Sequence, residues 1–406
     1  MQPLRLSTDS SEHKLMFSKT IELNSAFPHS RQIAAAQEVA RTQFTAYLQN
    51  MHRAINGEDL SIMCGQQSFS SKFIDMAEKR YFNVTAASNA RNVFIAVNLY
   101  NSERVLPNMA AQLLALADVL GRQHIFISIY ENGSTDRTKE ILVESAKTLD
   151  AVGIKHRIAM DETQRPNKMH RIEYMAQIRN KALQPLYAGQ SRFSRVVFLN
   201  DVFFCFLDIL ELIYQLQLNS AHLTCAEDYE LQHGALSFYD TWVSRDILGN
   251  AFKSRYQNVA DDGIALISHL NNRPFQVQCC WNGLAVIDAS VFAKPHAIKF
   301  RRSGPNECSA SECSLLCNDM WSAGLQRAVV VPGVKVSYDM DTRDYLRSPD
   351  HFPRDSMFAD KSSKSIVFRP GPDAVYCHPL DSPDSRIPDG PAVYAPLANQ
   401  AAGRNQ

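Results

Sequence analysis

An α/β fold built on a mostly parallel sheet is predicted by three observations. From Asn92 onward, strand-like and helix-like segments alternate in the order β-α-β-α. The strand segments are short apolar runs without helical period, as suits strands covered on both faces. One of them, Arg195-Val-Val-Phe-Leu199, stops abruptly at Asn200-Asp201 and so delivers a carboxylate to the edge where open α/β sheets bind their ligands. At that edge Asp201 can hold a divalent cation against a diphosphate, or Asn200 and Asp201 can simply turn the chain or cap the next helix.

Composition narrows the class further. The 406 residues are 45% hydrophobic and 21% charged, enough to bury one large core or two smaller ones, which excludes disorder throughout. Lys plus Arg and Asp plus Glu both number 42, so no net field attracts nucleic acid or an anionic membrane, and no nucleic-acid partner is expected. The most apolar region, Val196 to Leu218, is broken by Asp201, Asp208 and Glu211 and is no membrane span. Met1 to Ser10 lacks the apolar core of a signal peptide. Membrane association is therefore expected only through an anchor absent from this chain, and a cytoplasmic location stays open.

Three regions are expected. Residues 1–91 read as a polar leader followed by a helical segment, with roughly helical spacing from Ile33 to Met51 and a glycosylation sequon at Asn83-Val84-Thr85. Residues 92–340 form the organised domain. Its predicted elements are a strand at Val93–Val97, a helix at Met109–Leu120 closed by Gly121, a strand at Ile125–Tyr130 and a helix at Lys139–Leu149. A short strand near Ile154–Ile158 and a helix from about Asn167 to Leu183 lead to the Asn200-Asp201 strand. Residues 341–406 are broken by prolines and read as an extended or partly disordered tail, in which His378 beside Cys377 is either a late metal ligand or without a special role.

Candidate binding residues collect at the predicted strand ends. In Glu131-Asn132-Gly133-Ser134-Thr135-Asp136, the glutamate can accept bonds from a base or ribose, and the glycine allows a tight turn. Ser134, Thr135 and Asp136 are also ordinary helix caps. Of the cations Arg165, Lys168, Arg171 and Arg179, the last sits in an otherwise apolar stretch and is the best phosphate candidate. Asp228 ends another apolar run and, with Asp240 among Phe238, Tyr239 and Trp242, suits an acceptor sugar. Trp281, Asn282 and Gly283 form a turn whose indole would wall a donor sugar and whose glycine permits close backbone approach. Glu312 opens a helix, and Asp319 shares its face seven residues on. Cys308, Cys313 and Cys317 cluster and Cys279 and Cys280 are adjacent, which fits disulfides or reduced core residues better than zinc.

Taken together, Asn98-Leu-Tyr-Asn-Ser-Glu103, Glu131–Asp136, Ile178-Arg-Asn-Lys-Ala182 and Phe198-Leu-Asn-Asp-Val-Phe-Phe204 resemble the successive donor-binding elements of GT-A glycosyltransferases. More narrowly they resemble the fungal cryptococcal mannosyltransferase family, as do Phe238–Asp246, Cys280–Gly283 and Ala310–Asp319. The resemblance covers roughly Asn92 to Tyr338. It implies a GT-A, mixed and mostly parallel sheet and a retaining α-1,3-mannosyltransferase that uses GDP-mannose, a divalent Mn or Mg ion and a mannoside acceptor in a glycan or polysaccharide. It also implies a Golgi or other secretory lumen. On that reading Asn98, Glu131, Asn132, Ser134, Asp136, Arg179, Asn200, Trp281, Asn282 and Gly283 bind the nucleotide sugar. Asp201 holds the metal, Asp228 and Asp240 the acceptor, and Glu312 with Asp319 serves catalysis. The sequence departs from the family's paired-aspartate metal motif, having Asn-Asp-Val instead. A transferase for another nucleotide sugar, and a catalytically silent carbohydrate-binding scaffold, are the alternatives.

Overall fold

A computed structural model describes residues 71–85, 92–162, 164–189, 193–348, 350–352, 365–385 and 387–397. The expected leader and the helical pattern at Ile33–Met51 lie outside these residues. Apolar β-branched and aromatic runs form the centre of the fold: β1 (Val93–Leu99), β2 (Ile125–Asn132), β3 (Lys155–Asp161) and β4 (Arg195–Leu199) lie parallel in the order β3-β2-β1-β4. β4 is buried along its whole length, whereas the more polar β3 occupies the sheet edge.

The helices of this half are α1 (Ser71–Thr85), α2 (Leu106–Leu120), α3 (Thr138–Ala151), α4 (Arg171–Ala182) and the short α5 (Gln184–Tyr187). Pro107 lies in the first turn of α2, and Gly121, at φ 89°, ends it. Observed limits differ from expectation where local turns intervene. α4 starts at Arg171 rather than near Asn167, because Met169 N–H bonds Pro166 O and Lys168 takes a left-handed φ of 75°. His170 then caps the helix through its ring, accepting from the Ile172 N–H.

The second half comprises α6 (Phe206–Leu218), β5 (Leu223–Gln232), β6 (Ala235–Phe238), β7 (Arg245–Asp246), α7 (Gly263–Leu270) and β8 (Phe275–Cys279). These are followed by β9 (Leu284–Asp288), α8 (Glu312–Ser322), β10 (Ala328–Ser337), α9 (Met340–Arg347), β11 (Ala374–Cys377) and β12 (Val393–Pro396). The main sheet continues from β4 as β9-β5-β10-β8-β7, with β6 paired to β5. β9 runs antiparallel to both β4 and β5, and β10 runs parallel to β5. As a result the carboxyl ends of β1, β2, β4, β5 and β10 and the amino end of β9 share one edge. The mixed, mostly parallel α/β sheet predicted from sequence is the one observed.

Each face of the sheet carries an apolar layer. Val97, Leu116, Ile209 and Leu212 belong to one, and Phe198, Trp281, Phe300 and Leu316 to the other. α6 is apolar on nearly every side and is buried accordingly. Of its two deeply buried acids, Asp208 and Glu211, the latter accepts two 2.7 Å bonds from Arg80 and one from the Tyr81 hydroxyl, which docks α1. Among the described residues no helix is long and apolar enough to cross a membrane.

Disulfides join Cys225 to Cys280, Cys279 to Cys317 and Cys308 to Cys377, while Cys313 is free and buried. The clustered Cys308, Cys313 and Cys317 thus do not pair among themselves. The proline-rich C-terminal segment is extended, but it is fastened to the domain. β11 pairs with β12, Cys377 is cross-linked to Cys308, Trp242 Nε1 donates to the His378 carbonyl at 2.8 Å, and His170 Nε2 lies 3.0 Å from the Leu380 carbonyl. His378 meets the domain here through its backbone.

Candidate active site

The loops after β1 and β2 are stapled together by their own polar side chains. Asn101, at φ 51°, accepts from the Thr135 N–H at 2.8 Å, and its own N–H donates to Ser134 Oγ at 2.9 Å. Thr138 Oγ1 receives the Ser102 N–H at 2.7 Å. Asp136 receives the N–H groups of Glu103 at 3.1 Å and Thr138 at 3.0 Å. Burial opposes ionisation of Asp136, but these bonds and the Thr138 hydroxyl outweigh it and lower the carboxyl below its ordinary range.

Glu131, expected to face a nucleoside, is wholly buried at the end of β2. One carboxylate oxygen accepts the Ser134 N–H, and the other has no hydrogen-bond partner and lies 3.9 Å from Lys139 Nζ. It organises the loop from beneath instead of presenting itself at the surface. Asn132 bonds the Tyr174 side chain, and Asn98 Nδ2 donates to the Ile178 carbonyl at 2.9 Å, tying β1 to α4.

A second cluster is centred on Arg179. The apolar stretch around it buries the residue to 5% exposure, so its charge must be met by protein groups. Nε donates to Glu312 at 2.8 Å and Nη1 to Asn200 Oδ1 at 3.2 Å, and the guanidinium lies 5.0 Å from the Trp281 ring centre and 5.2 Å from that of Phe198. Glu312 is the first residue of α8, where the helix dipole favours a carboxylate. Asn200 Nδ2 donates to the Tyr338 hydroxyl at 3.0 Å, and its N–H bonds the Gly283 carbonyl at 2.8 Å.

Gly283 is required there on two counts. Its φ is 74°, and a Cβ would stand 2.7 Å from Val202 Cγ1. Trp281, expected to wall a sugar, is 1% exposed and lies under Arg179 as part of the apolar layer. Burial fixes that outcome, because the indole is packed between Phe198 and Phe300. Asp201 is half-buried beside this group, and burial raises its carboxyl while Arg179 partly offsets the rise.

The third group is acidic. Asp228 in β5 is fully buried, with Oδ1 accepting from Asn282 Nδ2 at 3.1 Å and from the Asp240 N–H at 3.2 Å. Its Oδ2 has no hydrogen-bond partner. Asn282 in turn donates to Ser244 Oγ at 3.0 Å. Burial first, and then the charge of Asp240, push the Asp228 carboxyl well up. Asp240 is half-buried, accepts the Val243 N–H at 3.2 Å and is also raised by burial, with Arg245, Glu312 and Arg179 close enough to influence it.

The structure therefore gathers Arg179, Asn200, Asp201, Asp228, Asp240, Asn282, Gly283 and Glu312 around one stretch of the sheet edge. It leaves Asp319 elsewhere engaged, receiving Arg301 Nε at 2.8 Å and Nη2 at 3.0 Å in a network that includes Glu307. Arg165 serves the C-terminal segment, donating to the Pro383 carbonyl at 2.7 Å. Sequence reasoning gave no role to Tyr338, which meets Asn200 and feels Asp228, Asp240 and Asp201. The signal was available, since Tyr338 follows the apolar run Ala328–Ser337 as Asn200 follows β4.

Residues 92–319 match the family model described as cryptococcal mannosyltransferase 1. The alpha-1,3-mannosyltransferase CMT1 of Cryptococcus neoformans is 34% identical over 286 residues, which cover 65% of this chain. The chain spans 61% of the length of that relative. Among solved structures, the mannosyltransferase PcManGT from Pyrobaculum calidifontis, in complex with GDP-Man and Mn2+, aligns with a TM-score of 0.40 and 13% identity over 79% of this chain and 72% of that one. TarS from S. aureus in complex with UDP-GlcNAc gives 0.37 and 14% over 61% and 59%.

Proposed function

Because the chain belongs to the cryptococcal mannosyltransferase family, we propose that it transfers mannose from GDP-mannose to a mannoside acceptor of a glycan or polysaccharide, forming an α-1,3 linkage with retention. The observation that carries this reading is the convergence of Asp201, the Arg179–Glu312 pair and the Asp228–Asp240 pair at one sheet edge, within or bordering the matched segment. The donor's diphosphate would lie toward Asp201 and the end of β1, and the acceptor toward Asp240.

The residues present fit a divalent Mn or Mg ion. Glu312 is paired with Arg179, which leaves Asp201 and Asp240 as the carboxyl oxygens that would face an ion. Among the described residues no group of three or more His, Cys, Asp or Glu could hold an ion alone, so the diphosphate would complete the shell around Asp201. When bound, the ion neutralises charge on the departing nucleoside diphosphate.

This chain's own groups do the rest. As the anomeric carbon–phosphate oxygen bond breaks and the acceptor oxygen bonds that carbon, positive charge develops on the sugar, and the fixed carboxylates Asp201 and Asp240 stabilise it. On this reading Asp240 takes the acceptor's hydroxyl proton. Glu312, expected to act near the anomeric carbon, is held by Arg179, so its role is to fix that cation in place. The disulfides among the described residues suit an oxidising compartment and support a secretory, Golgi-type lumen.

One observation favours the silent-scaffold alternative: beside Asp201 stands Asn200, not a second aspartate, and its amide is spent on Arg179 and Tyr338. The test is turnover of GDP- and UDP-sugars by purified protein with α-mannoside acceptors, with and without Mn. GDP-mannose turnover that vanishes with chelator and in Asp201→Ala is the expected result. Donor binding without turnover would instead establish the scaffold, and turnover of another sugar would replace the substrate.

A further inference from the structure

We propose that Tyr239 is the stacking platform for the acceptor sugar, an α-linked mannopyranoside; this rests on the acceptor reading above. Beside the acidic pair, Trp281, Phe198 and Phe300 are unavailable because they are packed around Arg179, and Tyr338 is partly buried. Two rings at the edge are exposed: Tyr100, at 45%, follows β1 on the side given above to the donor, and Tyr239, at 49%, stands beside Asp240.

Its setting gives that exposure a use. The Tyr239 N–H bonds the Asp228 carbonyl at 3.0 Å, and the next residue is Asp240, so the backbone here is pinned to the acidic pair. One side of its ring is backed by Tyr338 at 4.9 Å between centroids, with the planes tilted by 45°. Tyr338 in turn receives Asn200, the neighbour of Asp201. A ring with a rigid backing is held in position before any ligand arrives, so stacking on it costs little side-chain entropy.

A pyranose has a face of C–H groups and a rim of hydroxyls. The exposed surface of Tyr239 matches the face, and Asp240 beside it matches the rim. A sugar seated there would lie between Asp240 and Asp201, with a hydroxyl directed toward the centre of the edge. The same placement explains why a tyrosine stands in the turn between β6 and β7 without joining either apolar layer. Specificity for an α-mannoside would then come from the rim contacts, and affinity from the ring.

The test uses α-1,3-linked mannobiose as the probe and needs no donor. Saturation-transfer NMR and titration should show mannobiose binding to the wild-type chain. In Tyr239→Ala, affinity should fall about ten-fold, the scale of one aromatic contact, while Tyr239→Phe retains it. GDP-mannose affinity should not change in either variant, and circular dichroism should confirm that both fold. In transfer assays the Ala variant should raise KM for mannobiose by a similar factor and leave donor hydrolysis without acceptor unaltered. The proposal is overturned if the wild-type chain does not bind mannobiose, or if the folded Ala variant binds it equally. Mannobiose binding that depends on the ring, in a protein that turns over no GDP-mannose, would uphold the platform and refute the donor assignment.

Discussion

The two halves of the sheet edge are built in different ways. Around the ends of β1 and β2 the loops are knitted by Ser, Thr, Asn and Asp side chains 33 to 36 residues apart, each meeting a backbone N–H. Around β4, β5 and β10 the bonds are mostly between side chains, and the longest join residues far apart in the chain, by 133 positions in Arg179–Glu312, 54 in Asn282–Asp228 and 138 in Asn200–Tyr338. The first half is a shaped surface whose polar groups satisfy one another. The second is a set of charges held away from water, where removing one partner leaves another exposed to the full penalty of burial.

The sharpest test of that contrast is Arg179→Met. Losing the guanidinium strands Glu312 at 4% side-chain exposure, and breaking a buried pair from one side typically costs about 3–5 kcal/mol. The midpoint of urea unfolding should drop accordingly, and transfer should be lost. Removing both charges with Arg179→Met and Glu312→Leu together should recover much of the stability and none of the transfer. Equal destabilisation by the double and single variants would show that the cluster is not held by this pair.

Asp201→Asn should separate function from stability in the same region. Asp201 is half-buried and burial already disfavours its charge, so the amide should leave the unfolding midpoint unchanged or slightly higher. Transfer should nevertheless fall by about 10²–10³ in kcat, the usual loss when one preorganised electrostatic group is removed. If activity falls only in step with stability, Asp201 belongs to the fold and not to the chemistry.

A third effect depends on pH. Burial and Asp240 raise the folded-state pKa of Asp228 to about 8, above its unfolded value, so the folded state holds the extra proton between the two. Stability from this group is therefore fully present below the ordinary carboxylate range and is lost as pH rises toward 8. Asp228→Asn, which mimics the protonated acid, should match the wild type near pH 4 and exceed it increasingly as pH rises toward 8. Thermal melts across that range measure the difference directly.

The contrast also explains what the sequence could reveal. Apolar runs, capping residues and left-handed glycines act over short distances, so β1, β2, β4, the Glu131–Asp136 loop and the α/β class were all legible. Gathering Asn200, Asp201 and Arg179 at one edge followed from strand order. What stayed hidden was how buried charges are shared. Nothing local to α8 shows that Glu312 answers Arg179 while Asp319, on the same helix, answers Arg301. The fate of Trp281 was equally non-local, because whether an indole lines a cleft or fills a core depends on Phe198 and Phe300 from distant segments. The disulfides followed the same rule, joining β5, β8, α8 and β11 in a pattern that spacing alone does not give.

The weakest perturbation should come from the knitted half, and Asp136→Ala measures it. Asp136 holds two N–H groups, those of Glu103 and Thr138, at the start of α3. Losing a cap of this kind costs about 1 kcal/mol, because water can reach the loop and replace much of the bonding. Folding lowers this carboxyl, so the stability it contributes is present above the unfolded pKa and disappears as pH falls through the folded one. The Ala variant should therefore be less stable than the wild type at neutral pH and equal to it in acid, the reverse of the Asp228 trend. If the loop only shapes the donor surface, KM for GDP-mannose should rise a few-fold while kcat stays within about two-fold, since uniform binding is lost without loss of transition-state contacts. A fall in kcat as large as that of Asp201→Asn would mean that the two halves of the edge act as one unit.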